Sequence, residues 1–165
     1  MIQVLDSLFI QVSPHLHMAR WEWRGPMSYS YFQQAFEKLL DISREHQLTR
    51  WLADIGTMPL IGIDEQTWLS EIWLPQFSKL GVQYLALIEP ASMHNQLVID
   101  SILSEGLRYT KTNVQFFTDI PAALDWLTKS TTPLMENLEQ EWQAALPPSQ
   151  RIYRNAMRQL WEVGR

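Results

Sequence analysis

The order of apolar and polar positions divides the chain into short β-rich runs and longer helical stripes. Phe9 to Val12 and Leu16 to Trp23 are β-rich and flank Ser13-Pro14-His15, a turn signal with Pro in second place, so the pair predicts a hairpin. The second run stops at Arg24-Gly25-Pro26. From Ser28 the period changes: Phe32, Ala35, Phe36, Leu39, Leu40 and Ile42 share one helical stripe, and Ser28 supplies the N-cap of a helix to about His46. Arg50 to Asp54 is short and apolar, as a buried strand is. Asp64 then caps a helix carrying Trp68, Leu69, Ile72 and Trp73, bent near Pro75 and ended by Gly81. Val82 to Ile88 predicts a second buried strand, stopped by Glu89-Pro90. A helix from about Ser92 to Glu105 turns Leu97, Val98, Ile102 and Leu103 inward, with Gly106 as its C′ residue. Asn113 to Thr118 is a further strand, and Asp119 caps a short helix with Pro121 in its first turn.

This order, a hairpin followed by three β-α units, predicts an α/β domain over 1–129: a mixed, mainly parallel sheet flanked by helices, with right-handed crossovers. Beyond Lys129 the pattern changes to two helical segments, about Pro133 to Ala145 and Ser149 to Gly164, separated by Pro147-Pro148. They form a C-terminal helical extension over 130–165, packed on the domain or on a second subunit.

With 46% hydrophobic and 19% charged residues, the 165-residue chain suits one core. A net charge of -5 gives no field for phosphate backbones, which argues against general nucleic-acid binding. Zero cysteines exclude disulfides, thiolate metal sites and cysteine nucleophiles. "MIQVLDSLFIQV" has no basic start and contains Asp6, unlike a signal peptide, and no apolar run reaches the ~20 residues that span a bilayer. The expectation is a cytoplasmic protein without stable membrane insertion. Eight tryptophans are the one excess, and rings of that size need a core, a pocket or a partner.

The stretches "MARWEWRGPMS", "WLADI", "IDEQTWLSEIWLPQFSKLG", "YLALIEP" and "FFTDIPAALDWL" resemble the STAS-like, SpoIIAA-like bacterial proteins over about Phe9 to Lys129, and look closest to the stand-alone members without assigned activity. The resemblance implies a mixed sheet flanked by helices. It also implies a relation to anti-sigma-factor antagonists, which are switched by phosphorylation of a serine at the start of the second helix. Asp54 matches their strand-end aspartate and Ile63-Asp64 the pair before the serines, but Glu65 and Gln66 stand where the hydroxyls should be. The loop between Asp54 and Asp64 is also longer than the family's. If this chain is regulated there, the switch is not a serine, and Thr57 and Thr67 are the local hydroxyls.

Asp54, Asp64 and Glu65 suit either an acid/base or cation site at a strand end or plain loop and cap bonding, and the second reading is favoured. Gly56 and Gly62 lack the spacing and the lysine of a phosphate loop. His15 and His17 would share one strand face; a metal pair there lacks a carboxylate partner, and the favoured reading is solvated histidines with no metal. No G-x-S-x-G is present. Trp21, Trp68 and Trp73 form either core or the lining of a pocket for a small apolar, lipid-like ligand. Trp68 and Trp73, five apart, lie about 140° from each other on an α-helix, so one ring faces the sheet and the other edges outward. In the last segment Ile152, Tyr153, Met157, Leu160 and Trp161 make an apolar stripe among Arg151, Arg154 and Arg158. That stripe suits docking on the chain's own core or a homodimer more than a membrane. The function expected is a non-enzymatic protein-interaction or regulatory module without cofactor, the alternative being the apolar-ligand binder.

Overall fold

The computed structural model describes residues 1–106, 110–129 and 131–147. Six strands form one mixed sheet whose order is the order of the chain. Strands β1 (Ile2–Leu5), β2 (Leu8–Ser13) and β3 (Met18–Trp23) pair antiparallel. β3, β4 (Arg50–Asp54), β5 (Tyr84–Ile88) and β6 (Asn113–Phe117) pair parallel.

β1 is an addition to the predicted hairpin. Leu5 pairs with Leu8 across a two-residue turn, and Asp6 holds φ 43, a left-handed conformation that Asp tolerates without the glycine that usually announces such turns. Helix α1 (Tyr29–Glu45) holds this turn in place. The Tyr31 hydroxyl donates to the Leu5 carbonyl and accepts the Ser7 N–H at 3.1 Å. Burial pushes its ionisation above the ordinary 10.0; the Ser7 amide opposes this and Asp6 reinforces it. A pKa raised on folding adds stability that is complete below the unfolded value and is lost as pH rises through the folded one. Urea midpoints measured from below pH 10.0 to above it should therefore fall more steeply in the unaltered protein than in Tyr31→Phe. Equal slopes would remove Tyr31 as the cause.

The predicted histidine pair is corrected. His15 lies in a 3-10 turn over Pro14–Leu16 and His17 follows at φ 49, because Pro14 starts a helical turn and β3 begins only at Met18. The histidines share no strand face.

Between the parallel strands run α1, then α2 (Ile63–Trp68) continuing through a π-helical turn (Leu69–Trp73) into α3 (Leu74–Phe77), then α4 (Met93–Gly106). With strands in sequential order, crossovers of one hand place these helices on one face of the sheet. There they bury an aromatic core. Trp21, Phe36, Trp51, Trp73 and Phe77 meet with ring centroids 5.1 to 6.3 Å apart, mostly edge to face. Trp51 Nε1 donates to Ser43 Oγ at 3.0 Å and Trp73 Nε1 to the Phe36 carbonyl at 2.8 Å.

The π turn corrects the outward-edging ring. Pro75 has no N–H to return to Glu71, and the Leu74 N–H bonds the Leu69 carbonyl, a five-residue step that widens the turn. Residues five apart then lie nearly one above the other, and Trp68 and Trp73 are both buried. Two α4 expectations are corrected as well. Leu97 is exposed, since only the Asn95, Val98, Ile102 side of α4 reaches the core. Gly106 lies within the helix, where an added Cβ would come within 1.6 Å of Leu74 Cδ2; it serves close packing, not a C′ turn.

The other sheet face is covered by α5 (Ile120–Thr128), capped as expected by Asp119 at 2.8 Å from the Ala122 N–H, and by α6 (Thr132–Ala145). Met18, Leu52, Ala86 and Ile88 meet Ala123, Leu124, Leu127 and Leu138 there. Over β2 and β3 the contact turns polar. Gln11 Nε2 donates to the Leu138 carbonyl (2.9 Å) and to Glu141 (2.6 Å). Arg20, 0% exposed, pairs with Glu139 at 2.8 Å under the Trp142 ring, 4.0 Å from its centroid.

Candidate functional site

The parallel strands β4 and β5 end at Asp54 and Ile88, the edge where open α/β sheets place ligands. Asp54 is buried and its Oδ1 accepts the Gly56 N–H at 3.1 Å, which starts the loop as an Asx turn. Thr57 Oγ1 donates to the Trp23 carbonyl at 3.0 Å, tying the loop to the end of β3.

Asp64 does not cap α2. Gly62 is the N-cap, the Gln66 N–H bonds its carbonyl, and Asp64 and Glu65 stand inside the first turn, where the helix dipole favours carboxylates without a cap bond. The helix starts earlier than predicted, and Glu65 folds back over Gly62, where a Cβ would lie 2.5 Å from Oε2.

The organising residue is one the sequence pattern did not single out. Asn95, 1% exposed, points from α4 into the loop: its Oδ1 accepts the Ile61 N–H at 2.8 Å, and its Nδ2 donates to the carbonyls of Met58 (3.1 Å) and Pro59 (3.0 Å). His94 Nε2 lies 2.7 Å from the Ile61 carbonyl, which can only accept, so Nε2 carries the proton. An asparagine in an amphipathic helix gives no local sign of partners over thirty residues upstream.

Asn95→Ala would leave one loop amide and two carbonyls without this partner and should cost about 2 kcal/mol. The expected loss appears in the melting curve, with faster hydrogen exchange at Ile61; unchanged exchange there would show that the loop holds itself.

The loop exposes Leu60 (64%), the start of α2 Ile63 (82%), and α4, which Asn95 and His94 tie to the loop, Met93 (74%) and Leu97 (62%) one turn apart. These are half of the eight large exposed hydrophobics among the described residues. Asp64 follows Ile63, and Asp100 stands one turn beyond Leu97, both exposed. From Trp51 to Gly106 the chain carries seven carboxylates and one lysine. That lysine, Lys79, lines an open cleft of 620 Å³ with Thr49 and Arg44, at the opposite end of β4.

Of the predicted pocket residues, Trp21 and Trp73 line a cavity of about 70 Å³ in the aromatic core together with Trp51, Phe36 and Phe77. Trp68 does not line it and packs against Phe32 instead, with ring centroids 5.9 Å apart. Trp21 Nε1 is buried without a hydrogen-bond partner. The space holds a few atoms, far below the ~300 Å³ at which ligand pockets begin. Among the described residues no group of three His, Asp or Glu side chains gathers for a metal ion. Ile152, Tyr153, Met157, Leu160 and Trp161 lie outside the described residues.

Fold and site together define an α/β protein with a six-stranded mixed sheet and a loop after β4 that Asn95 and His94 of α4 hold by hydrogen bonds. Among the described residues no helix is long and apolar enough to cross a membrane. No family model matches the chain, and no curated protein or solved structure does either.

Proposed function

We propose that this protein is a non-enzymatic interaction module of STAS-like type whose docking surface is the corner formed by Leu60, Ile63, Met93 and Leu97. The observation that carries the reading is the exposure of four large apolar side chains, Leu60 on the loop, Ile63 at the start of α2 and Met93 and Leu97 on α4, around the hydrogen bonds by which Asn95 ties loop and helix together. Exposed apolar patches rimmed by polar groups mark interaction sites. The corner lies beside Ile63-Asp64, the pair that resembles the family's switching position. Its acidic frame fits a basic amphipathic helix, which sets its apolar stripe into the patch and its cations against Asp64 and Asp100.

The test is fluorescence anisotropy with a labelled helical peptide of leucine and arginine against its leucine and glutamate counterpart. The basic peptide should bind more tightly, and Leu97→Asp should weaken it at least about ten-fold with the circular dichroism unchanged. Equal binding of the two peptides would defeat the reading.

A further inference from the structure

We infer that the open cleft between the C-terminal turn of α1 and the end of α3 is a binding site for a small organic anion, a carboxylate or phosphate carried on an apolar body. The site lies at the opposite end of β4 from the loop that Asn95 holds and is independent of the docking surface proposed there.

The first support is the size and chemistry of the walls. A volume of 620 Å³ lies within the roughly 300–1,000 Å³ of small-molecule pockets, whereas the aromatic core has room for a few atoms only. Two lining residues are cations, Arg44 and Lys79, and none is a carboxylate, in a chain of net charge -5. Ser43, Gln47, Thr49 and Gln76 add neutral polar groups, and Leu48 and Leu80 supply an apolar part that packs on the aromatic core. A hydrocarbon would leave the cations unanswered and a cation would be repelled; an anion with an apolar body meets both kinds of wall. The ends of α1 and α3 bring roughly half a negative charge each, less than the two cations. Asp41 bonds Arg44 but does not line the cleft, and its side chain is 68% exposed to screening water.

The second support is that the donors are placed and unspent. Helix ends often claim nearby side chains for their last carbonyls. Here backbone amides meet that need: the Gln47 N–H bonds the Arg44 carbonyl at 3.3 Å, Leu48 that of Ser43 at 3.0 Å, Lys79 that of Gln76 at 3.1 Å and Leu80 that of Phe77 at 3.0 Å. The side chains of Lys79, Gln47 and Thr49 have no hydrogen-bond partner among the described residues. Arg44 reaches across from α1 to α3: Nη1 donates to Asp41 at 3.1 Å and Nη2 to Gln76 Oε1 at 3.3 Å, which leaves further N–H groups of the guanidinium for a ligand. Ser43 joins the cleft to the core, since its hydroxyl accepts the Trp51 Nε1–H at 3.0 Å and donates to the Leu39 carbonyl at 2.8 Å. The Trp51 indole N–H therefore reports on the cleft wall.

The test titrates the nitrogen-15-labelled full chain with hexanoate, hexyl phosphate and the neutral hexanamide, followed by nuclear magnetic resonance. At least one of the two anions should move the Trp51 indole N–H, assigned by its loss in Trp51→Phe, and the Thr49 and Leu80 amides along a saturable curve. It should bind at least about ten-fold more tightly than hexanamide, and the tighter anion assigns the headgroup. Arg44→Gln with Lys79→Gln, both at exposed positions, should bring its affinity down to that of hexanamide with the circular dichroism unchanged, whereas Leu97→Asp should leave it as it was. Equal binding of the anions and hexanamide, undiminished anion binding in the double variant, or no saturable shift with any of the three would overturn the inference.

Discussion

Replacing Arg20 by alanine is expected to lower the stability of the fold by about 3–5 kcal/mol, a loss readable as a shift in the urea midpoint. Arg20 sits on the sheet face beneath α6 with none of its surface exposed, paired with Glu139 and stacked under Trp142. Removing it leaves the Glu139 carboxylate half-buried beside an apolar ring and opens a hole in the layer. The pair itself need not be net stabilising, because taking two charges out of water offsets much of their attraction. Arg20→Met with Glu139→Leu should therefore lie within about 1 kcal/mol of the parent. A double variant as unstable as Arg20→Ala would show that Arg20 acts through bonds that methionine cannot replace, and a small effect of Arg20→Ala would show that α6 is held mainly by Leu138 and Gln11.

Trp51→Ala should cost a similar 3–5 kcal/mol, for a different reason. Trp51 is the junction of the aromatic core, touching Trp21, Trp73 and Phe77, and its Nε1 satisfies Ser43 from within the sheet. Truncation would merge the space of an indole with the existing cavity of about 70 Å³ that Trp51 lines. Apolar cavities of this kind stay dry and admit small aromatic molecules. Added indole should therefore raise the melting temperature of Trp51→Ala and leave the unaltered protein unmoved. If indole has no effect on the variant, the core has collapsed into the hole. Trp51→Phe, which keeps most of the ring and loses the Ser43 bond, should cost markedly less than Trp51→Ala.

The elements that the sequence announced are those whose signals are local. The stripe from Phe32 to Ile42 and its Ser28 cap, the Asp119 cap with Pro121 behind it, and the apolar runs Arg50–Asp54 and Val82–Ile88, whose strand begins at Tyr84, each carry their cause within a few residues. What escaped depends on contacts made at a distance. Strand β1 lies behind a turn without glycine. Leu97 has the spacing of a core residue, but the side of α4 that faces inward carries Asn95, Val98 and Ile102, which meet the loop and the aromatic core. Gly106 reads as a helix end, while its reason is Leu74, thirty-two residues upstream. In the candidate site, Asp54 and Thr57 were legible as loop residues, and the loop bonding favoured for Asp54 is the hydrogen bond it makes to Gly56. The joining of the loop to α4 was not legible, because Asn95 and His94 lie more than thirty residues from the loop groups they bond.

The sequential strand order also bears on how the chain reaches its fold. Each strand pairs only with its neighbours in sequence, so loops close one at a time and no early strand waits for a late one. During synthesis the sheet can grow from the N-terminus with α1 to α4 covering one face as it lengthens. The opposite face, with Met18, Leu52, Ala86 and Ile88, receives its cover only when α5 and α6 have emerged. Chains arrested after Phe117 should accordingly bind chaperones that capture apolar strands, and chains arrested beyond Ala145 should not; equal capture at both lengths would show that the sheet does not form until the last helix arrives.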